Sequence, residues 1–266
     1  MLSTAARRMV RVWTLLVLVF LYAPLLLVVI NAFNASRSFA FPPTDFTLEW
    51  WVAAANSEGM WKSLANSAVV GVGATAIALL LGTMAAFAVQ RYAFFGRNIV
   101  SFLVVLPITL PGIVTGIALN ATFTSALGVT LGLATVIVGH ATFCIVIVFN
   151  NTQARLRRLG TSLDDASADL GASPWQTFRY VTFPMMRGAL VAGAILAFAL
   201  SFDEIVVTTF TAGPTVQTLP IWIFGNLFRP NQAPVINVVA AALTLVAIIP
   251  VWLAQRFGGD PATTRV

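Results

Sequence analysis

The chain has 266 residues, of which 59% are hydrophobic and only 9% charged, and its mean hydropathy is +0.90. A soluble domain carries roughly 25% charged residues, so the composition describes an integral membrane protein. The net charge of +6 does not indicate nucleic-acid binding, because the basic residues are few and form no patch with interleaved aromatic side chains.

A spanning helix needs roughly 20 predominantly apolar residues. Six stretches qualify, at 12–33, 64–89, 99–122, 129–150, 189–211 and 236–254, and they predict an all-α, polytopic fold with six transmembrane helices. The first is followed by small residues in NAFNAS, as a signal peptide would be. Its apolar run of about 20 residues exceeds the 7–15 of a signal peptide, so an uncleaved span is expected. Residues 34–63 are polar; Pro42, Pro43 and the acids mark a loop with a short interfacial helix, and Trp50, Trp51 and Trp61 belong at headgroup level. Small residues throughout 69–89 allow close approach to a neighbouring helix or to a second subunit. Pro107 and Pro111 are expected to bend or break the third span. In the fourth, Cys144 is expected to be a buried small hydrophobe and His140 a satisfied helix-interface histidine, since neither has a partner at metal-ligand spacing. Asn120, Asn150 and Asn151 are expected to bond between helices or to cap their ends.

Basic residues set the orientation. Twelve fall on one side (Arg7, Arg8, Arg11, Arg91, Arg97, Arg155, Arg157, Arg158, Arg179, Arg187, Arg256 and Arg265) and three on the other (Arg37, Lys62 and Arg229). The positive-inside rule then places the N-terminus (1–11), the 91–98 loop, the 153–188 loop and the tail (255–266) in the cytoplasm, around a transmembrane domain at 12–254.

The 153–188 loop carries an unusually polar module, DDASADLGASPWQTFRYVTFP at 164–184. Its punctuation predicts two short helices. Ser162 and Asp165 have capping-box spacing, and Leu163, Ala166 and Leu170 share a face. Gly171 suits the left-handed residue past the first helix. Ser173 caps the second with Gln176 reciprocating, Pro174 takes its first position, and Pro184 is expected to end it before the chain re-enters the membrane. From spacing alone the module is either a protruding knob or an amphipathic connector lying on the membrane.

Asp203 and Glu204 are the only acids inside a span. A charge at mid-depth costs at least about 2.5–3.5 kcal/mol, so such residues face a bundle interior or a water-filled cavity. Ser201, Glu204, Thr208 and Thr211 recur at spacings of three and four and predict one polar stripe on a continuous helix, with Asp203 on the Val207 and Phe210 side. The stripe either lines a substrate path that attracts a cation, or its acids are structural and paired with a buried donor. Trp222 and Phe224 form either an aromatic wall around a cation or an interfacial anchor.

The 164–184 module resembles the cytoplasmic coupling loop of binding-protein-dependent ABC importer permeases, whose pattern is Glu-Ala-Ala, three residues, Gly, nine residues, Ile, one residue, Leu-Pro. Asp165-Ala166-Ser167, Gly171, Val181 and Phe183-Pro184 match it without a gap, with conservative drift at Asp165, Ser167, Val181 and Phe183. The stretches LPITLPGIVTGIAL (106–119) and LSFDEIVVTTFTAGPTVQTLPIWIF (200–224), with the six-span layout, are similar to permeases of the spermidine/putrescine importer family. That resemblance implies an ATP-driven importer of polyamines in a bacterial inner membrane. It implies a second, non-identical permease, two cytoplasmic ATPase subunits that bind ATP and Mg, and an external solute-binding protein. The loop residues named above would couple to the ATPase. Lys62, the one lysine, lacks a nucleotide-binding Gly-x-x-x-x-Gly-Lys context, so this chain is expected to hold no cofactor. Two alternatives stay open: the same machine carrying another amine or a zwitterion such as γ-aminobutyrate, and, more remotely, an ion-coupled secondary transporter. A membrane enzyme is not expected, because no Ser/His/Asp or metal constellation is present.

Overall fold

Backbone placed in hydrocarbon must satisfy its polar groups within the segment, which a helix does and an open strand does not. The computed structural model describes residues 3–37, 42–43, 45–229 and 231–258. Among them the regular elements are all helical, apart from one isolated antiparallel bridge between Asn34 and Phe46.

In chain order the α-helices are α1 (Thr4–Asn31), α2 (Glu49–Ala55), α3 (Glu58–Arg91), α4 (Arg97–Thr109), α5 (Gly112–Ala121), α6 (Leu133–Leu159), α7 (Ser162–Asp169), α8 (Pro174–Thr177), α9 (Phe183–Phe202), α10 (Val206–Thr211), α11 (Leu219–Leu227) and α12 (Ala233–Gly258). Two single π-helical turns, Thr122–Ala126 and Phe178–Thr182, follow α5 and α8. Among the described residues four continuous helices are long and apolar enough to cross a membrane: Thr4–Asn31, Glu58–Arg91, Leu133–Leu159 and Pro174–Phe202. The pair Arg97–Thr109 and Gly112–Ala126, bent by 105°, adds a fifth if counted as one broken span, and Ala233–Ile248 is a shorter apolar stretch. All six apolar stretches read from the sequence therefore fall on helix, but the third and fifth are interrupted. Helix begins at Thr4, so most of residues 1–11 already belongs to the first helix, and residues 259–266 of the expected tail lie outside those described.

The two interruptions have different origins. The third follows the prolines: Pro107 lies within α4, and Leu110, ahead of Pro111, adopts φ −81° and ψ 144°. A proline ring pushes the preceding residue out of the helical region in this way. The fifth has no glycine or proline at the break. There α9 stops at Phe202, Asp203 to Ile205 are non-helical, and α10 starts at Val206, so the continuous stripe expected across 201–211 is split. Conversely, Pro184 does not end a helix. The chain runs from α8 through the π turn into α9 with Pro184 in the first turn. The π turn directly before Pro184 is the kind of local helix adjustment that accommodates a proline within a spanning segment.

The chain divides into two units, Met1–Met60 with Ile223–Ile249, and Trp61–Trp222 with Pro250–Val266. In the first, α1 exposes its apolar side chains from Met9 to Leu27. The Trp50 indole donates to the Asn34 carbonyl at 3.1 Å and Phe33 lies 5.2 Å from Trp51, which anchors the short helix expected in the polar segment. In the second unit α6 is the central element. Its Cys144, Val148 and Phe149 pack on Ala74, Ala78 and Ala86 of α3, on Ala197 and Met186 of α9, and on Val207 of α10. Cys144 is fully buried, as expected, and points its thiol at the Ala197 carbonyl, 3.3 Å away.

Small residues set the α3–α6 distance. A Cβ on Gly82 would stand 2.8 Å from the Ile145 carbonyl oxygen and 3.0 Å from Val148 Cβ, neither of which can move aside. Gly82→Val is expected to destabilise the protein by about 1–3 kcal/mol through overpacking. Thermal unfolding in detergent should show a lower midpoint than for Gly188→Val, where nothing lies within 4 Å of an added Cβ.

Candidate functional site

The break after α9 is held open by side chains from a neighbouring helix. His140, fully buried on α6, places Nδ1 2.8 Å from Ser201 Oγ on α9 and Nε2 2.8 Å from Thr208 Oγ1 on α10. The Thr208 hydroxyl gives its single proton to the Glu204 carbonyl at 2.7 Å. It must therefore accept from Nε2–H, and in the neutral ring Nδ1 accepts from the Ser201 hydroxyl. The expected satisfied interface histidine is thus a clamp across the interruption. Three more bonds fix α10: Thr135 Oγ1 donates to the Thr211 carbonyl at 2.7 Å, Asn120 Nδ2 donates to the Phe210 carbonyl at 2.7 Å, and the Val207 N–H donates to Glu204 Oε1 at 2.9 Å. Of the three asparagines, Asn120 alone bonds between helices among the described contacts. Asn151 donates to Ile147 of its own helix, and Asn150 is exposed.

The two broken helices meet. Gly112, which opens α5, lies 3.5 Å from Val206 measured at its Cβ position, and Gly116 has no room for a Cβ because Phe210 stands 2.5 Å from that point. Between them lies a cavity of about 130 Å³ lined by Pro107, Ile108, Leu110, Gly112, Thr115, Phe143, Leu200, Glu204 and Val207. Glu204 is its one charge, and the Thr115 hydroxyl beside it is buried with no hydrogen-bond partner. Ser201, Thr208 and Thr211 are buried and bonded within the packed helices, so they do not line this cavity alongside Glu204. Asp203 is exposed at the C-cap of α9, where the continuous helix assumed in placing it beside Val207 and Phe210 stops. Trp222 is buried, whereas Phe224 is 55% exposed and stacks edge-on against Phe228. Among the described residues no group of three or more His, Cys, Asp or Glu side chains is arranged to hold a metal ion.

The 160–184 module folds as two short helices meeting at Gly171, whose φ of +80° is the left-handed conformation expected of it. The Gly171 and Ala172 N–H groups close back on Ala168 and Ser167 carbonyls. Ser173 and Gln176 form both bonds of the expected capping box. The capping box expected at Ser162 is absent: helix starts at Ser162 itself, the cap position is Thr161, and Asp165 N–H bonds the Thr161 carbonyl. Asp165 and Ala166 are exposed, Ser167 bonds Thr177 at 2.9 Å across the two helices, Val181 is half-buried and Pro184 is exposed. The α7 helix buries none of its residues. Leu163 (43% exposed), Leu170 (89%) and Trp175 (66%) leave an apolar face open, which a protein partner or a membrane surface would cover. Sequence reasoning missed Asp164 and Arg91, which form an ion pair of 2.7 Å. Their separation of more than seventy residues gives no local signal.

Interrupted spanning helices beside a largely apolar cavity that holds one carboxylate are the kind of irregularity that membrane transport proteins use to line a substrate path. The chain superposes on a bacterial ABC transporter "involved in the import of the acidic polysaccharide alginate" with a TM-score of 0.72 at 16% identity, covering 97% of this chain and 99% of that one. It superposes on the MetNI methionine ABC transporter with a TM-score of 0.59 at 21% identity, covering 75% and 93%. Residues 78–258 match the family of the binding-protein-dependent transport system inner membrane component. Similar proteins include the spermidine/putrescine transport system permease protein PotC of Escherichia coli (strain K12), 31% identical over 91% of this chain and 90% of PotC. The putrescine transport system permease protein PotI of the same strain is 33% identical over 92% and 91%. The putative 2-aminoethylphosphonate transport system permease protein PhnV of Salmonella paratyphi A is 28% identical over 92% and 93%. The chain therefore belongs to the binding-protein-dependent ABC importer permeases of the inner membrane, as the coupling-loop residues implied. It is a transport subunit and not an enzyme, and the ion-coupled alternative falls away.

Replacing His140 with leucine leaves the buried Ser201 hydroxyl without its acceptor and takes a donor from Thr208, whose proton still goes to the Glu204 carbonyl. His140→Leu is expected to lower stability by about 1–3 kcal/mol. Adding Ser201→Ala, which removes the orphaned hydroxyl, should return part of that loss in detergent thermal unfolding. A His140→Leu midpoint equal to that of the wild type would show that the clamp contributes nothing.

Proposed function

We propose that the chain forms half of the translocation pathway of an ATP-driven polyamine importer, with putrescine or spermidine as cargo. The observation that carries the substrate class is Glu204, a lone carboxylate in the cavity between two broken helices, in a chain about one third identical to permeases named for polyamines. A carboxylate in a low-dielectric cavity attracts an ammonium group more strongly than it would in water. Asp203, exposed one residue away, presents a second negative charge that a partner subunit or a second ammonium group can meet.

In this reading the other half of the pathway is a non-identical permease. Two ATPase subunits hold ATP and Mg in the cytoplasm, and a solute-binding protein delivers cargo from outside. The termini and the 91–98 and 153–188 loops face the cytoplasm, on the strength of the arginine distribution. Asp165, Ala166 and Gly171, with exposed Leu163, Leu170 and Trp175, enter a groove on the ATPase, so that closure of the ATPase dimer moves the helices around the cavity. The likeness to PhnV favours a second reading, the same machine carrying a zwitterionic amine such as γ-aminobutyrate. A ligand-binding assay on the cognate solute-binding protein separates the two.

Glu204→Gln is expected to leave the complex assembled and to cut putrescine uptake at least about tenfold, the effect of losing some 1.4 kcal/mol of cation stabilisation. Wild-type kinetics in that variant would remove Glu204 from the pathway. Leu170→Cys is expected to cross-link to the ATPase in membranes; labelling by lipid or solvent probes alone would show that the knob is not docked.

A further inference from the structure

Elements far apart in sequence meet at one guanidinium. Arg91 is the last residue of α3. Its Nη1 donates to the Gly160 carbonyl at 2.7 Å, at the residue that caps the end of α6. Its Nη2 pairs with Asp164 Oδ2 at 2.7 Å, in the first turn of α7. Asp164 Oδ1 in turn accepts from the Thr182 hydroxyl at 3.0 Å, in the last residue of the π turn that leads into α9. The ion pair is partly withdrawn from solvent, with side chains 15% and 28% exposed. Asp165, the next residue, is exposed and has no such tie among the described contacts.

Resting on the coupling role proposed for residues 160–184, we propose that Arg91 and Asp164 are the joint through which movement of the α7–α8 knob reaches the membrane helices. The two adjacent carboxylates divide the work: Asp165 faces the motor and Asp164 faces the transmembrane domain. Displacing α7 pulls Asp164, which pulls the end of α3 through Arg91 and the start of α9 through Thr182. Arginine suits the joint because its planar fork holds two oxygen partners in fixed directions, whereas a lysine ammonium is a mobile point charge. One acceptor sits at the C-cap of α6 and the other in the first turn of α7, so the linkage can transmit displacement without breaking. Arg91 and Asp164 are positioning residues; neither touches the cavity that Glu204 lines.

The test uses the assembled importer in proteoliposomes with its ATPase and binding protein, and measures putrescine carried and ATP hydrolysed in the same vesicles. Arg91→Gln is expected to keep the ATPase bound and hydrolysing while putrescine carried per ATP falls about three- to tenfold. Arg91→Lys should share the defect. The charge exchange of Arg91→Asp with Asp164→Arg should recover part of what Arg91→Asp alone loses. An unchanged ratio in Arg91→Gln, or uptake and hydrolysis falling in proportion, overturns the joint. Where Arg91→Gln fails to accumulate in the membrane, the same ratio is read on Thr182→Val, which deletes one hydroxyl from the linkage. A wild-type complex whose Leu170→Cys variant never cross-links to the ATPase is a different result: it sinks the coupling role of the loop itself.

Discussion

The buried His140 side chain is the constraint on which the arrangement around the cavity depends. One imidazole on α6 bonds to both sides of an interrupted helix, to Ser201 before the gap and to Thr208 after it. Nothing in the local sequence forces that gap, which lacks glycine and proline. The freed backbone groups are recovered by side chains: Glu204 takes the Val207 N–H and Thr208 takes the Glu204 carbonyl. Irregular backbone at membrane depth persists only where protein or a water-filled cavity satisfies it in this way. The result is a carboxylate fixed beside open space, and that is what a cation pathway requires.

The frame around this gap is rigid for a complementary reason. Lipid tails are as apolar as leucine, so helices in a membrane associate through close packing and polar contacts rather than by escaping water. Gly71, Gly82 and Gly116 remove side chains where Phe198, the α6 backbone and Phe210 press in. Tightly packed helices therefore surround two that are broken. A bundle built this way moves by shifting whole elements against one another, because packed cores do not deform smoothly.

The 160–184 loop adds a two-helix handle to that bundle. Gly171 fixes the angle between α7 and α8, Ser167 and Thr177 bond across it, and Phe178 sets its ring against Phe87 of α3 at 5.6 Å. The handle exposes an apolar face and anchors its opposite side through the Arg91–Asp164 pair. The knob is tied to α3, α6 and α9, as the proposed coupling role requires.

Much of this was legible in the chain alone. Hydrophobic runs located the helices because burial in lipid depends on local composition, and Pro111 marked the third-span break because its steric effect falls on the residue directly before it. Gly171, Ser173 and Gln176 announced the knob because capping acts within four residues. The fifth-span break, the burial of Ser201 and Thr208 away from the cavity and the Arg91–Asp164 tie were not legible. Each arises from partners tens of residues distant: His140 lies more than sixty residues from Ser201 and Thr208, and Arg91 more than seventy from Asp164. The sequence by itself determined a polytopic helical protein with a two-helix loop at 160–184, since those features follow from short-range sterics and hydropathy, while the permease reading came from the resemblance carried by that loop and by 106–119 and 200–224. Only the tertiary structure decided which polar groups face open space and which are spent holding helices together, because that depends on which helices the packing brings side by side.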